Sequence, residues 1–325
     1  MVIFLIFNYF ENDLQERYTA FLRNAQELVM NANANICEDV SSIKKTGTVK
    51  VGALLPHEIT EKARVCHLNR LNLQEPEKLI EEKLDEEKLE VDLQWYSITQ
   101  NLYKTMASTA KRCWVPVCDV SGSMSGEPMQ VAIALSLLLA EVNRPETGWH
   151  GKMFTFDTEP ELISVFDLEG SSIENPIRDI GEAAYRVSEM GWGGSTDIVK
   201  TMQLFCKTAQ ANQTSIEEMT HHGLVIFSDM MFDNAVGESW ETTHETIVKL
   251  FRNAGYPTAP RIIYWNLRAS HLSPVAQDTK GVVLMSGFST QLLNNFLDGN
   301  LDDFTPIAQL RAVLEKKAYA DLRIN

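Results

Sequence analysis

Trp114-Val115-Pro116-Val117-Cys118 runs directly into Asp119-Val120-Ser121-Gly122-Ser123-Met124. The first five residues form a short apolar run of the kind that fits a strand buried on both faces. The next six place oxygen-bearing side chains at alternate positions, Asp119, Ser121 and Ser123, in a loop loosened by Gly122. A helical pattern then extends from about Pro128 to Val142. Strand, polar loop and helix in that order predict the opening unit of an α/β domain.

The alternation continues downstream. Lys152 to Phe156 and Glu161 to Val165 read as strands separated by a Thr158-Glu159-Pro160 turn. Helical spacing covers about Asn175–Met190 and Asp197–Ala211. Gly223-Leu224-Val225-Ile226-Phe227 is the clearest buried strand. A helix around Trp240–Asn253, strands at Arg261–Asn266 and Val282–Met285, and a helix at Thr290–Leu297 complete the pattern. It predicts a Rossmann-like, mostly parallel sheet with helices on both faces, over residues 113–300. The amphipathic tail, 301–325, reads as a C-terminal helix packing on that domain.

Upstream, residues 1–112 form a mainly helical N-terminal region. Leu14, Tyr18, Phe21, Leu22, Ala25, Leu28 and Val29 recur at helical spacing, as do Ile98, Leu102, Tyr103 and Met106. Pro56, followed by Glu58 and Glu61, marks the start of a helix with an acidic first turn. Glu75 to Asp92 is dense in Glu and Lys and reads as a solvated helix or an insertion. The apolar stretch Met1 to Phe10 is too short to span a membrane and lacks a signal-peptide cleavage site. It fits a buried element, or the inside of a longer parent chain whose helical domain ends here.

Composition narrows the function classes. The chain has 325 residues, 29 basic against 44 acidic, and a net charge of −15. That balance disfavours a free-standing nucleic-acid binder, which carries a basic footprint. Five cysteines, an odd number with no Cys-x-x-Cys spacing, argue against a disulfide framework or a zinc site. They fit a reducing intracellular compartment, the cytoplasm first.

In a sheet of this type, ligands bind beyond the carboxyl ends of the strands. Asp119, Ser121 and Ser123 fall there after the first strand, and Ser228-Asp229-Met230 after the strand Leu224–Phe227. Met190-Gly191-Trp192-Gly193-Gly194-Ser195-Thr196-Asp197 is a flexible loop that ends at a helix start. Oxygen ligands without Cys or His suit Mg²⁺, Mn²⁺ or Ca²⁺. Asp157, Asp197 and Asp233 lie near loop ends, either as acids supporting the ligands through water or as turn and cap residues. Trp192 is a candidate partner contact or a residue buried under its loop. His221-His222 precedes a buried strand and reads as a surface or supporting pair; His57 reads as a helix-start residue.

These residues resemble the metal-ion-dependent adhesion site of the von Willebrand factor A (vWA) domain. That site combines Asp-x-Ser-x-Ser, here Asp119, Ser121 and Ser123, with a distant Thr and a distant Asp, here Thr196 and Asp229. The resemblance implies that Ser121, Ser123 and Thr196 touch the metal, that Asp119 and Asp229 act mostly through water, and that one position stays open for a partner's carboxylate. Met230 departs from the pattern, since many vWA domains have Gly there. A tighter likeness covers Ala53-Leu54-Leu55-Pro56-His57-Glu58-Ile59, Phe227-Ser228-Asp229-Met230, Trp240-Glu241-Thr242, Trp265-Asn266-Leu267-Arg268 and Ser286-Gly287-Phe288-Ser289. These segments are similar to a vWA family of plants, fungi and large viruses known only as a domain of unknown function. The arrangement also resembles, more distantly, the Ro RNA-binding proteins.

The function expected from these residues is a divalent-metal-dependent protein-interaction module, not an enzyme, with Mg²⁺ as cofactor and an exposed Asp or Glu of a partner protein as ligand. A Ro-like RNA-binding scaffold is the first alternative, weakened by the acidic balance. A Mg²⁺-dependent hydrolase with Asp119 as nucleophile is the second. Such phosphatases need a second acid two residues on, where Ser121 stands. The Gly191 loop has neither dinucleotide nor P-loop spacing, and no Gly-x-Ser-x-Gly elbow is present.

Overall fold

Every residue of β1 (Cys113–Asp119) is buried, as an apolar run flanked by strands on both edges and helices on both faces requires. The computed structural model describes residues 54–73, 78–108, 113–143, 147–156, 159–166, 179–189, 197–230, 240–268, 281–288 and 292. β1 pairs in parallel with β2 (Lys152–Phe156) on one side and β4 (His222–Ser228) on the other. β5 (Arg261–Asn266) and β6 (Val282–Ser286) continue in parallel beyond β4. β3 (Leu162–Ser164) closes the opposite edge, antiparallel to β2. The six-stranded order is β3-β2-β1-β4-β5-β6. The chain therefore winds outward from β1 in one direction, crosses back, and winds outward from β4 in the other.

The two-residue period of the strands divides the core. Trp114, Cys118, Val225, Phe227, Ile263 and Trp265 face one side; Cys113, Val115, Val117, Leu224, Ile226, Ile262 and Tyr264 face the other. α3 (Glu127–Val142) and α4 (Ile180–Ser188) cover the first side. α5 (Ile198–Ala211), the short α6 (Ile216–His221) and α7 (Trp240–Asn253) cover the second. α1 (Pro56–Leu71) and α2 (Lys78–Ser108) pack outside α3 and α4.

The α/β class and the mostly parallel sheet agree with the sequence reading, and most strand limits lie within a residue or two of it. The strand expected at Glu161–Val165 shrinks to three residues because it is an edge strand held only by β2. From Lys78 on, the Glu-rich stretch is helical but not simply solvated. Leu84, Val91, Trp95 and Leu102 of α2 are each at most 7% exposed. Trp95 Nε1 donates to Glu141 Oε2 of α3 at 2.7 Å, and Tyr103 Oη donates to the Glu141 carbonyl at 2.5 Å. Charged residues between these positions mask a stripe that lies on one helix face. Residues 1–53 and the tail 301–325 lie outside the described residues, as does all of Thr290–Leu297 except Leu292. Cys66, Cys113, Cys118 and Cys206 are free and buried. No described helix is long and apolar enough to cross a membrane.

Candidate metal centre

β1 and β4 finish side by side, with Cys118 opposite Phe227, so Asp119 and Ser228 are the next residue on each strand and Asp229 follows. Strand order reverses between these two strands, and in open α/β sheets that is where a crevice opens for ligands. Asp119 and Asp229 are each 1% exposed. Both oxygens of Asp119 are held: Ser121 N–H donates to Oδ1 at 2.9 Å, and Ser228 Oγ donates to Oδ2 at 2.6 Å. Beyond Asp119, Gly122–Met124 makes a single 3₁₀ turn, closed by Met124 N–H on the Ser121 carbonyl at 3.0 Å. Met124 is fully buried and anchors the turn, while Ser121 and Ser123 stay partly accessible with their Oγ atoms 3.0 Å apart. Gly126, at φ +93°, then turns the chain into α3.

The electrostatics follow from burial. Desolvation raises the Asp119 carboxyl above the usual range; hydrogen bonds from Ser228 and Ser121 oppose the rise, and the nearby charge of Asp229 adds to it. Two buried carboxylates that repel each other, surrounded by hydroxyls, form a site that a hard cation would stabilise. Thiolate ligation does not fit. Burial pushes Cys113 and Cys118 up to about 12, so both remain thiols. Among the described residues no group of three His, Cys, Asp or Glu side chains is placed to hold a metal. The donor set is two carboxylates plus hydroxyls, the chemistry of a Mg²⁺ site rather than a zinc site.

Asp119, Ser121, Ser123 and Asp229 thus meet at one end of the sheet. Asp197 accepts Lys200 N–H at 3.0 Å and caps α5. Thr196, Asp157, Asp233 and Trp192 lie outside the described residues. Ser228, which is not among the sequence candidates, joins the two strand ends; its only signal in the sequence is a hydroxyl between an apolar run and an acid. His222 is a buried strand residue at the far end of β4, not a surface group, and burial lowers its pKa to about 4. His57 is also buried and meets the ring of Phe288 edge-on at 5.3 Å.

A family model described as a domain of unknown function, DUF7788, matches residues 113–319, well over half of the chain. The chain belongs to this family. The DUF7788 match takes in β1 and β4, and with them Asp119, Ser121, Ser123, Ser228 and Asp229. An uncharacterized protein of Acanthamoeba polyphaga mimivirus is 36% identical over 211 residues, which make up 64% of this chain and 34% of the viral protein. The DUF7788 chain therefore spans about a third of that relative's length. Among solved structures, the crystal structure of the Deinococcus radiodurans RO (RSR) protein matches with a TM-score of 0.45 and 16% identity, covering 86% of this chain and 53% of that one.

Proposed function

We propose that the β1–β4 crevice holds a divalent cation, Mg²⁺ first, and that the domain is a metal-dependent protein-interaction module. One observation carries this reading. Two carboxylates, each 1% exposed, share the switch point of the sheet with the partly accessible hydroxyls of Ser121 and Ser123. Ser121 and Ser123, with Thr196 by resemblance, supply neutral donors, and Asp119 and Asp229 supply the charge. A bound cation would provide Lewis-acid coordination of an Asp or Glu carboxylate on a partner protein. Mn²⁺ and Ca²⁺ suit the same donors. Anchoring is favoured over turnover because Ser121 occupies the place where a phosphatase needs its second acid.

Calorimetry with Mg²⁺ tests the site. Binding to the full chain that disappears in Asp119→Ala supports it; equal affinity in the variant overturns it. Affinity capture with and without EDTA tests the partner. Metal-dependent recovery of one protein, lost when a surface Asp or Glu of that protein is replaced, supports anchoring. Salt-sensitive retention of structured RNA without metal would instead favour an RNA scaffold.

A further inference from the structure

Arg268 sits on the rim of this crevice and has no acidic partner among the described residues. It lies two residues beyond the end of β5. Three hydrogen bonds tie its loop down. Leu267 N–H donates to the Ser228 carbonyl at 3.0 Å, Arg268 N–H to Asn266 Oδ1 at 2.9 Å, and Arg268 Nη2 to the Ser125 carbonyl at 3.2 Å. Ser125 closes the turn that carries Ser121 and Ser123, its N–H donating to the Gly122 carbonyl at 3.2 Å. One side chain thus links the β5 loop to the turn bearing the hydroxyl donors, while its neighbour on the chain is bound to the end of β4. Arg268 is exposed, and the bond to Ser125 uses one of the five N–H donors of a guanidinium.

We infer that Arg268 is a second anchor for the partner's carboxylate, beside the cation; the inference rests on the metal-site reading above. Guanidinium donors form a planar fork that matches the two oxygens of a carboxylate. Charge selects among anions. Among the described residues, Asp119 and Asp229 balance a divalent cation, and Arg268 leaves one positive charge over. Glu127, two residues beyond Ser125, has its Oε1 3.8 Å from His57 Nε2 of α1. A monoanionic carboxylate neutralises the remaining charge, whereas a phosphoryl dianion overshoots it.

The test measures Mn²⁺ binding to the full chain by electron paramagnetic resonance of the free ion. It compares chloride buffer with added acetate or methyl phosphate, each corrected by a protein-free blank. Acetate should tighten Mn²⁺ binding about fivefold, the low end of ordinary coupling between two ligands. Arg268→Gln should still bind Mn²⁺ in chloride, yet lose the acetate response, read as the ratio of its own affinities with and without acetate; Arg268→Lys should keep part of that response. An acetate response that is absent from the wild type, or unchanged in Arg268→Gln, overturns the inference while leaving the metal site standing. A larger response to methyl phosphate than to acetate overturns the choice of carboxylate. No Mn²⁺ binding in any buffer overturns the metal site, and the inference with it.

Discussion

Ser228 Oγ donates a 2.6 Å hydrogen bond to Asp119 Oδ2, joining the ends of β1 and β4 between residues 109 apart in sequence. The same oxygen accepts Met230 N–H at 3.1 Å. One hydroxyl therefore orients the acid at one strand end and shapes the turn that carries the acid at the other. Ser228→Ala removes both bonds beside a buried carboxylate. It should cost about 2 kcal/mol of stability, the range for a hydrogen bond to a charged group. At the proposed metal site, Mg²⁺ affinity should fall about tenfold, the effect expected when a group behind a metal ligand is lost. Thermal melts and calorimetry check this, with Ser228→Thr retaining most of both properties. A wild-type melt and affinity in the alanine variant would remove Ser228 from the site.

Met230 follows Asp229 with a backbone conformation that favours glycine. Its φ is +63°, in the left-handed region, while its side chain is 5% exposed and packs in the core beneath α5 and α7. The left-handed conformation costs an L-residue about 1–2 kcal/mol, which buried methionine packing offsets. Alanine here would lose the packing and keep the backbone cost; glycine would lose only the packing. Met230→Gly should therefore be more stable than Met230→Ala by about 1 kcal/mol, the reverse of the usual order in regular structure. Urea denaturation of the two variants decides it, and an Ala variant more stable than Gly contradicts the strained turn.

Much of this arrangement is legible in the sequence. β1, β4 and β5 are continuous apolar runs, and such runs identify buried strands almost by themselves. The spacing of Asp119, Ser121 and Ser123 places a polar loop after β1, where the structure has the 3₁₀ turn Gly122–Met124. The Ser228–Asp119 bond was not legible, because no local pattern reports a contact made across adjacent strands. The buried face of α2 was hidden for a different reason: Lys and Glu between Leu84 and Val91 dominate its composition. His222 misled because a histidine pair before a strand resembles a surface turn, yet α6 runs directly into β4 and leaves His222 inside.

His222 gives the protein a definite acid response. It is 4% exposed, lies edge-on to Trp149 with ring centroids 6.4 Å apart, and its Nδ1 has no hydrogen-bond partner among the described residues. Burial lowers its pKa from 6.5 to about 4, so the folded chain keeps it neutral over a range in which the unfolded chain binds a proton. Its contribution to stability is fully present above pH 6.5 and is lost as pH falls toward 4. The loss approaches about 3 kcal/mol at the lower limit. His244, lowered in the same direction by partial burial, adds to the slope. His222→Phe should flatten the fall in stability between pH 6.5 and 4, measured by urea midpoints at each pH. An unchanged slope would mean that other groups carry it.

Trp95 tests how far the outer helices belong to the sheet. Its Nε1–H donates at 2.7 Å to Glu141 Oε2, and Glu141 is only 5% exposed on α3, the helix that begins just after the Ser121–Ser123 turn. A carboxylate buried to that degree depends on its donors, so removing one costs more than an exposed bond would. Trp95→Phe keeps an aromatic ring against the helix but deletes the N–H, and should lower stability by about 2 kcal/mol. Replacing Glu141 by Gln in the same chain removes the buried charge and should recover part of that loss, giving a non-zero coupling in a double-mutant cycle. Additive effects would mean that the two side chains act independently. Mg²⁺ affinity should stay unchanged in Trp95→Phe, because the bond meets α3 at the end away from its first turn.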